Sequence, residues 1–401
     1  MESGDGLLLR VRPRGAVLSS NALGVVATVS ERFGNGRIDL TRRANFQIRG
    51  VTSPTLGPAQ DALAQAGLLD ADAGSEAVRN VILSPLAGLD PSAAPAAPAI
   101  AEAIETGLSQ DPALLALPPK FSFLVDAGGR LPLQGVAADI RVEIDGGGAR
   151  LAIGGDASGA LALAVVPPEA AAETALDLAR TFLLLSKDTS ARSMRGLLAL
   201  AGPRAIASCA GLADTLPLAR RNAPAPALRE AIFGRQPFYF GLGAAFGSFG
   251  ADQIAALARA TSEGVRVTPW RALIVPNPSE DFEAQIATLD LVTRADDPRL
   301  AVAACPGHPA CLSGEAATRP LAEALARALA FEPGEGIALH VSGCAKGCAT
   351  SAPAPFTLVG HEGRFDLVLD GGARDPAVLS GLNGAQAESA IALASRRALA
   401  S

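Results

Sequence analysis

Four cysteines stand within residues 305–348 of a 401-residue chain that has only five. "ACPGHPACLSG" carries Cys305 and Cys311, and "HVSGCAKGCATSAPAP" carries Cys344 and Cys348, giving the spacings C-x5-C and C-x3-C. In a reducing compartment, thiols gathered in this way bind metal more often than they form disulfides. Structural zinc favours close pairs on tight knuckles, whereas an iron–sulfur cube wrapped by four thiolates suits wider loops. Gly343 and Gly347 flank the second pair and let backbone N–H groups turn toward sulfur, which tunes such a centre. The strand "GIALHV" places Ile337, Leu339 and Val341 on one face and delivers Cys344 at its end. The pattern favours a [4Fe-4S] cluster on Cys305, Cys311, Cys344 and Cys348. Zinc, or four unligated small apolar side chains, are the alternatives. Cys209, alone in "AIASCAGLAD", reads as a core residue.

Basic residues offer a second chemistry. Of 34 Lys and Arg residues only three are lysines, Lys120, Lys187 and Lys346. Arg10, Arg12 and Arg14 alternate in "RVRPRG", so a continuous strand would set all three on one face. Guanidinium forks bind carboxylates two-pronged, so such a face suits a polyanionic ligand, with a solvated face as the plain alternative. Arg42 and Arg43 are adjacent and point opposite ways, and Arg43 is the better candidate of the two. Arg49 is either a further carboxylate ligand or a surface residue.

These groups need a scaffold, and the chain is written twice. "GAVLSSNALGVVATVSERFGNGRIDLT" matches "GSFGADQIAALARATSEGVRVT" as a Ser/Asp-capped helix, a Gly-marked turn and a strand. "RNVILSPLAG" then matches "LAVAACPGHPA", "KFSFLVDAGG" matches "IALHVSGCAKG", and "ARLAIGGDASG" matches "FDLVLDGGARD". The alignment sets Gly15 opposite Gly247 and Gly154 opposite Gly371, a drift that small loop deletions produce. Each copy reads as a small half-domain followed by a larger mixed module, so the fold class is α+β and internally duplicated. The expected units are residues 1–70, 75–215, 225–295 and 298–401. Cys305 has Ser84 opposite, and Cys344 has a residue near Ala127. The first copy instead holds "RVRPRG" and "LTRRANFQIRGV" where the second has "GLGAAFG" and "VTPWRALIV".

Composition narrows the rest. The chain is 49% hydrophobic and 18% charged, with net charge −6, which gives no footprint for nucleic acid. Its apolar runs are far shorter than the ~20 residues a bilayer span needs. "MESGDGLLLR" lacks a signal peptide's basic start and long apolar region, so a cytoplasmic location is expected. "GLGAAFG" has the wrong spacing for a dinucleotide loop, so electrons must come from a separate donor. An internally duplicated fold supplies its own pseudo-twofold pairing and can stand as a monomer.

The cysteine spacing together with "LTRRANFQIRGV" resembles the sulfite and nitrite reductase family, a duplicated fold with siroheme beside a [4Fe-4S] cluster. The resemblance covers nearly the whole chain. Within the family, "DGLLLRVRPRGAVLS", "NGRIDLTRRANFQIRGV" and "SGCAKGCA" are most similar to a branch acting in aerobic cobalamin biosynthesis. That branch hydroxylates C20 of precorrin-3A with O2 and closes a γ-lactone. The resemblance implies that Arg43, Arg79 and Lys120 serve the substrate face, and that Arg10, Arg12, Arg14 and Arg49 meet carboxylates. It also implies a ferredoxin, flavodoxin or other reductase as electron donor. Two departures, Ser122 in place of a second lysine and Arg49 in place of a frequent histidine, count against sulfite or nitrite reduction. A siroheme-dependent reductase and a non-catalytic tetrapyrrole or Fe–S carrier are the alternatives. The resemblance further implies a mononuclear non-heme iron in place of siroheme iron. Such iron favours two histidines and a carboxylate, and the chain offers His308, His340 and His361. His308, inside the first cysteine loop, is the best candidate, and His361 reads as a hairpin-turn residue.

Overall fold

The computed structural model describes residues 1–70, 72–212, 228–331 and 336–398. The boundary expected between residues 215 and 225 lies outside them. Four five-stranded sheets carry the described chain, and they come as two matched pairs. The first runs Glu2–Ser3, Gly6–Val11, Phe46–Val51, Arg37–Leu40, Ser248–Gly250, and the second runs Gly234–Arg235, Tyr239–Gly243, Ala272–Pro276, Val265–Val267, Val17–Leu18. Each half-domain therefore lends one short strand to the other's sheet. Ser248–Gly250 pairs antiparallel with Arg37–Asp39, and Val17–Leu18 pairs with Val265–Arg266.

This exchange explains why the two half-domains share one core. Ser20–Phe33 begins where Ser19 Oγ accepts from the Ala22 N–H at 3.2 Å, and it ends at Gly34. Its buried Leu23, Val26, Ala27 and Val29 form one face. Ala251–Ala260 buries Ile254 and Leu257 in the same cluster. Each large aliphatic buried in this seam contributes roughly 1.5–3 kcal/mol. The second helix departs from the expected Ser/Asp cap. Gly250 is its N-cap, and Gln253 Oε1 accepts from the Gly250 N–H at 2.8 Å.

The larger modules repeat one topology. Val81–Leu83, Phe123–Asp126, Ala138–Asp145, Gly148–Gly155 and Leu161–Val166 pair parallel, parallel, antiparallel, antiparallel. Val302–Ala304, Leu339–Ser342, Ala354–His361, Arg364–Gly371 and Leu379–Leu382 pair in the same sequence. The register differs by one residue from the sequence alignment at both ends. Gly15 and Phe246 share the left-handed conformation (φ 57° and 58°), as do Ala16 and Gly247. Gly371 pairs with Ala354 as Gly155 pairs with Ala138.

Candidate functional site

Parallel pairing brings the cysteines together. Val302–Ala304 and Leu339–Ser342 are neighbours with Ala304 opposite Val341, so their C-terminal ends share one sheet edge, where Cys305 and Cys344 follow. The Cys305 N–H donates to Val341 O at 3.3 Å, and the Gly343 N–H donates to Cys305 Sγ at 3.2 Å. The first copy builds the same turn without sulfur. There Ser84 N–H donates to Val125 O at 3.0 Å, and the Ala127 N–H donates to Ser84 Oγ at 2.8 Å. Gly128, one residue on, holds the place of Cys344.

The loops pack too closely for side chains at their crossings. A β-carbon on Gly343 would sit 2.9 Å from Gly307 Cα, and Gly307 itself has φ 64°. Lys346 Nζ donates to Ser313 Oγ at 2.6 Å and ties the second loop to the first. Burial pushes the Cys348 thiol up, and Cys305, Cys344 and Cys311 push it further, against the pull of Lys346. Cys305, Cys311 and Cys344 therefore lie within electrostatic reach of Cys348. Among the described residues no three His, Cys, Asp or Glu side chains converge for a single ion. Zinc with ~2.3 Å bonds would need sulfurs about 3.8 Å apart, whereas a cubane spreads its thiolates wider. The cysteine edge, its inward amide and its glycine crossings fit an iron–sulfur cluster.

The first half-domain reaches the cysteine loops through the turn at Thr41. Thr41 Oγ1 accepts from the N–H groups of Arg43 (3.2 Å) and Asn45 (3.3 Å). Thr268 Oγ1 does the same for Trp270 and Ala272, with Ala44 and Arg271 both left-handed at φ 52° and 60°. The turn at Thr41 aims Arg42 Nη2 at Ala349 O, 2.8 Å away and next to Cys348. Arg43 Nη2 reaches Lys120 O at 3.4 Å. Arg42 thus meets the cysteine-bearing module and Arg43 the first larger module, where the sequence favoured Arg43 alone.

Of the three alternating arginines only Arg10 lies in the strand, which ends at Val11, and Arg14 opens a 3-10 turn. Arg12 is buried and paired with Glu76 Oε1 at 2.7 Å; burial, the main cause, draws its pKa down to about 10. Arg14 pairs with Asp70. Arg79 is buried against Asp70 Oδ2 at 2.7 Å and Arg12 O at 3.1 Å, with Glu105 3.8 Å away. Three guanidiniums and three acids thus form one internal network. Burial pushes the Glu76 and Glu105 carboxyls up.

Arg49 is also committed. It pairs with Asp5 (2.9 Å) and Asp39 (3.2 Å) and donates to Ala310 O at 2.7 Å, inside the first cysteine loop. Arg12, Arg14, Arg49 and Arg79 are tied to protein carboxylates in this arrangement. Arg10 has no hydrogen-bond partner among the described residues, and burial followed by Arg43 draws its pKa down. Unlike Arg12, Arg14, Arg49 and Arg79, the side chains of Arg10, Arg42, Arg43 and Lys120 form no salt bridge among the described residues.

Residues 1–66 match the nitrite/sulfite reductase ferredoxin-like half domain. Precorrin-3B synthase from Sinorhizobium sp. is 30% identical over 385 residues, spanning 93% of this chain and 81% of the relative. The chain belongs to the precorrin-3B synthase family. A ferredoxin–nitrite reductase from Leptolyngbya laminosa is 38% identical over 84 residues, 21% of this chain and 16% of that protein. The structure of the Mycobacterium tuberculosis NirA protein superposes with TM-score 0.73 at 20% identity, covering 96% of this chain and 79% of that one. The duplicated nitrite/sulfite reductase fold is therefore shared, as the cysteine spacing and the Thr-Arg segment implied.

This precorrin-3B synthase family member places its histidines in three environments. His308 is exposed in the first loop. His361 ends a strand at its hairpin turn and meets Glu315 Oε2 at 3.1 Å. His340 is buried, and neither ring nitrogen has a hydrogen-bond partner. Ser122, where the reductases carry a second lysine, is buried and donates its N–H to Asp139 Oδ2 at 2.9 Å. Cys209 is exposed as the last residue of helix Met194–Cys209 rather than in the core. Sequence reasoning passed over Arg42 because its target is a carbonyl 307 residues away.

Proposed function

We propose that this chain is an oxygen-dependent monooxygenase that hydroxylates precorrin-3A at C20 and closes the γ-lactone of precorrin-3B. The near-complete likeness to Precorrin-3B synthase carries the reading. One oxygen atom of O2 enters the substrate. The other leaves as water with two protons and two electrons from an external donor, a ferredoxin, flavodoxin or reductase. A [4Fe-4S] cluster on Cys305, Cys311, Cys344 and Cys348 supplies single electrons when bound. The Gly343 N–H, already 3.2 Å from Cys305 Sγ, stabilises its thiolate. Among the described residues no trio of His, Cys, Asp or Glu side chains is preformed for a mononuclear iron.

The substrate carries many carboxylates. Arg10, Arg42, Arg43 and Lys120 bind them, and Arg43, with its fork turned beside Lys120, orients the macrocycle. Arg12, Arg14, Arg49 and Arg79 hold the walls of the cleft through their acids. No described helix is long and apolar enough to cross a membrane, and reduced thiols fit work in the cytoplasm.

Anaerobically purified protein should hold about four acid-labile sulfides per chain and show a broad sulfur-to-iron band. With precorrin-3A and 18O2 it should place label in the C20 hydroxyl. Sharp chlorin-type bands with sulfite or nitrite turnover would replace this reading with a siroheme reductase. The Arg43→Gln variant should raise KM for the tetrapyrrole about 10-fold or more, since a hydrogen bond to a charged group is worth roughly 1.5–3 kcal/mol. An unchanged KM would remove Arg43 from the substrate face.

A further inference from the structure

His340 is a polar group without a partner in a place where the fold asks for an apolar one. Its neighbours Leu339 and Val341 point into the core of the cysteine-bearing module. The imidazole lies on the opposite face of the strand and is 1% exposed. Neither Nδ1 nor Nε2 meets a donor or acceptor. In its flanking strands Ala303 and Thr357 stand beside it. Ala303 has no polar side-chain atom, and the Thr357 hydroxyl is already committed to Gly371 O at 2.7 Å. Leaving a buried donor or acceptor unmet costs roughly 1–3 kcal/mol, so such a group calls for an explanation.

The duplication provides an internal comparison. Phe123 pairs with Val81 as Leu339 pairs with Val302, which puts Leu124 at the position of His340. Leu124 is fully buried in an apolar cluster. The copy without the clustered cysteines fills this position with a leucine, and the copy that carries all four of them fills it with an imidazole. What differs above the two strands is the loop carrying Cys344 and Cys348. Gly347, at φ 63°, takes that loop over the ring edge. A β-carbon at Gly347 would lie 3.7 Å from His340 Cε1, the atom flanked by both nitrogens. Burial, and then the Arg42 guanidinium, draw the His340 pKa down. The ring is therefore neutral near pH 7, with one N–H to donate.

We infer that His340 donates this N–H to a sulfur of the iron–sulfur cluster held by the Cys344–Cys348 loop, and so raises the cluster's reduction potential. The inference rests on the cluster reading above. Hydrogen bonds to cluster sulfurs stabilise the more negative, reduced state. His340 is thus a positioning and tuning residue, not one that touches the substrate.

The test uses the whole chain with its cluster assembled, labelled with 15N-histidine, reduced and examined by pulsed electron paramagnetic resonance. A 15N coupling is expected in the unmodified protein, unchanged in His308→Gln and lost in His340→Leu. That last variant installs the residue the other copy already packs at this position. The midpoint potential should shift negative in His340→Leu while sulfide content stays the same. A complete cluster without 15N coupling, or with coupling only to exchangeable protons of a trapped water, overturns the inference. So does an unchanged midpoint potential in His340→Leu. Failure of the unmodified chain to hold any sulfide is a different result, which overturns the cluster reading itself.

Discussion

The Cys344→Ser variant is expected to leave a folded chain with no acid-labile sulfide and with turnover at background. A serine hydroxyl does not ionise near neutral pH, so the fourth thiolate of the cube is lost outright. The fold around it does not depend on that sulfur. Ser342 Oγ donates to the Cys344 backbone carbonyl at 2.7 Å, and Glu315 N–H donates to Gly343 O at 2.7 Å. Both bonds survive the substitution. Cys209→Ser supplies the control, since that thiol is exposed at the end of a helix in the other module. Iron and sulfide per chain, measured beside circular dichroism, decide the matter. A full sulfide complement in Cys344→Ser would show that Cys344 is not a ligand.

The largest effect on stability belongs to Asp39. It is buried in the first half-domain, and Arg319 grips it two-pronged at 3.0 and 2.9 Å from the start of helix Arg319–Leu329. Arg49 holds the same carboxylate at 3.2 Å, and Arg319 also reaches Ser248 on the exchanged strand. One acid therefore joins the first half-domain, the second and the cysteine-bearing module. Removing it in Asp39→Ala leaves two buried guanidiniums facing each other, which should cost about 3–5 kcal/mol. Thermal unfolding of the variant should fall by many degrees, and its cluster should be lost faster in air because Arg49 no longer holds Ala310 O firmly. A shift smaller than that of an exposed pair such as Arg294–Asp296 would refute the assignment.

The same carboxylate has a signed pH dependence. Burial pushes Asp39 up, but Arg319 and then Arg49 outweigh it and hold the carboxyl below its usual value. A depressed folded value means that its stabilisation is fully present above the unfolded pKa of ~3.9. It is lost as pH falls through the folded value. Asp39→Asn should therefore flatten the acid limb of the stability profile below about pH 4 and lower the plateau above it. A variant whose loss of stability grows toward acid would contradict this sign.

Much of the molecule was legible in the residues. The duplication showed as repeated capping, turn and strand patterns, because a helix cap and a strand end are local events of a few residues. The cysteine edge was legible for the same reason. Cys305 and Cys344 each follow a short apolar strand, and a glycine beside each loop turns an amide inward. The hairpin position of His361 followed from neighbouring residues alone.

The arginines were another matter. Alternation in "RVRPRG" predicted one shared face for a continuous strand; the strand stopped at Val11, and Arg12 and Arg14 met acids that folding brought to them. Asp70 and Glu76 reach Arg14 and Arg12 from 56 and 64 residues away, and Ala310 reaches Arg49 from 261. No local rule assigns such partners, since their energies arise only when distant segments exclude water together. By itself the sequence determined the two copies, the cysteine edge and the chemistry that edge can hold. Tertiary structure alone decided that the half-domains exchange strands, that Arg42 faces the cluster loop, and that His340 is buried without a partner. Those outcomes depend on which surfaces desolvate one another, and desolvation is a property of the assembled chain rather than of any stretch of it.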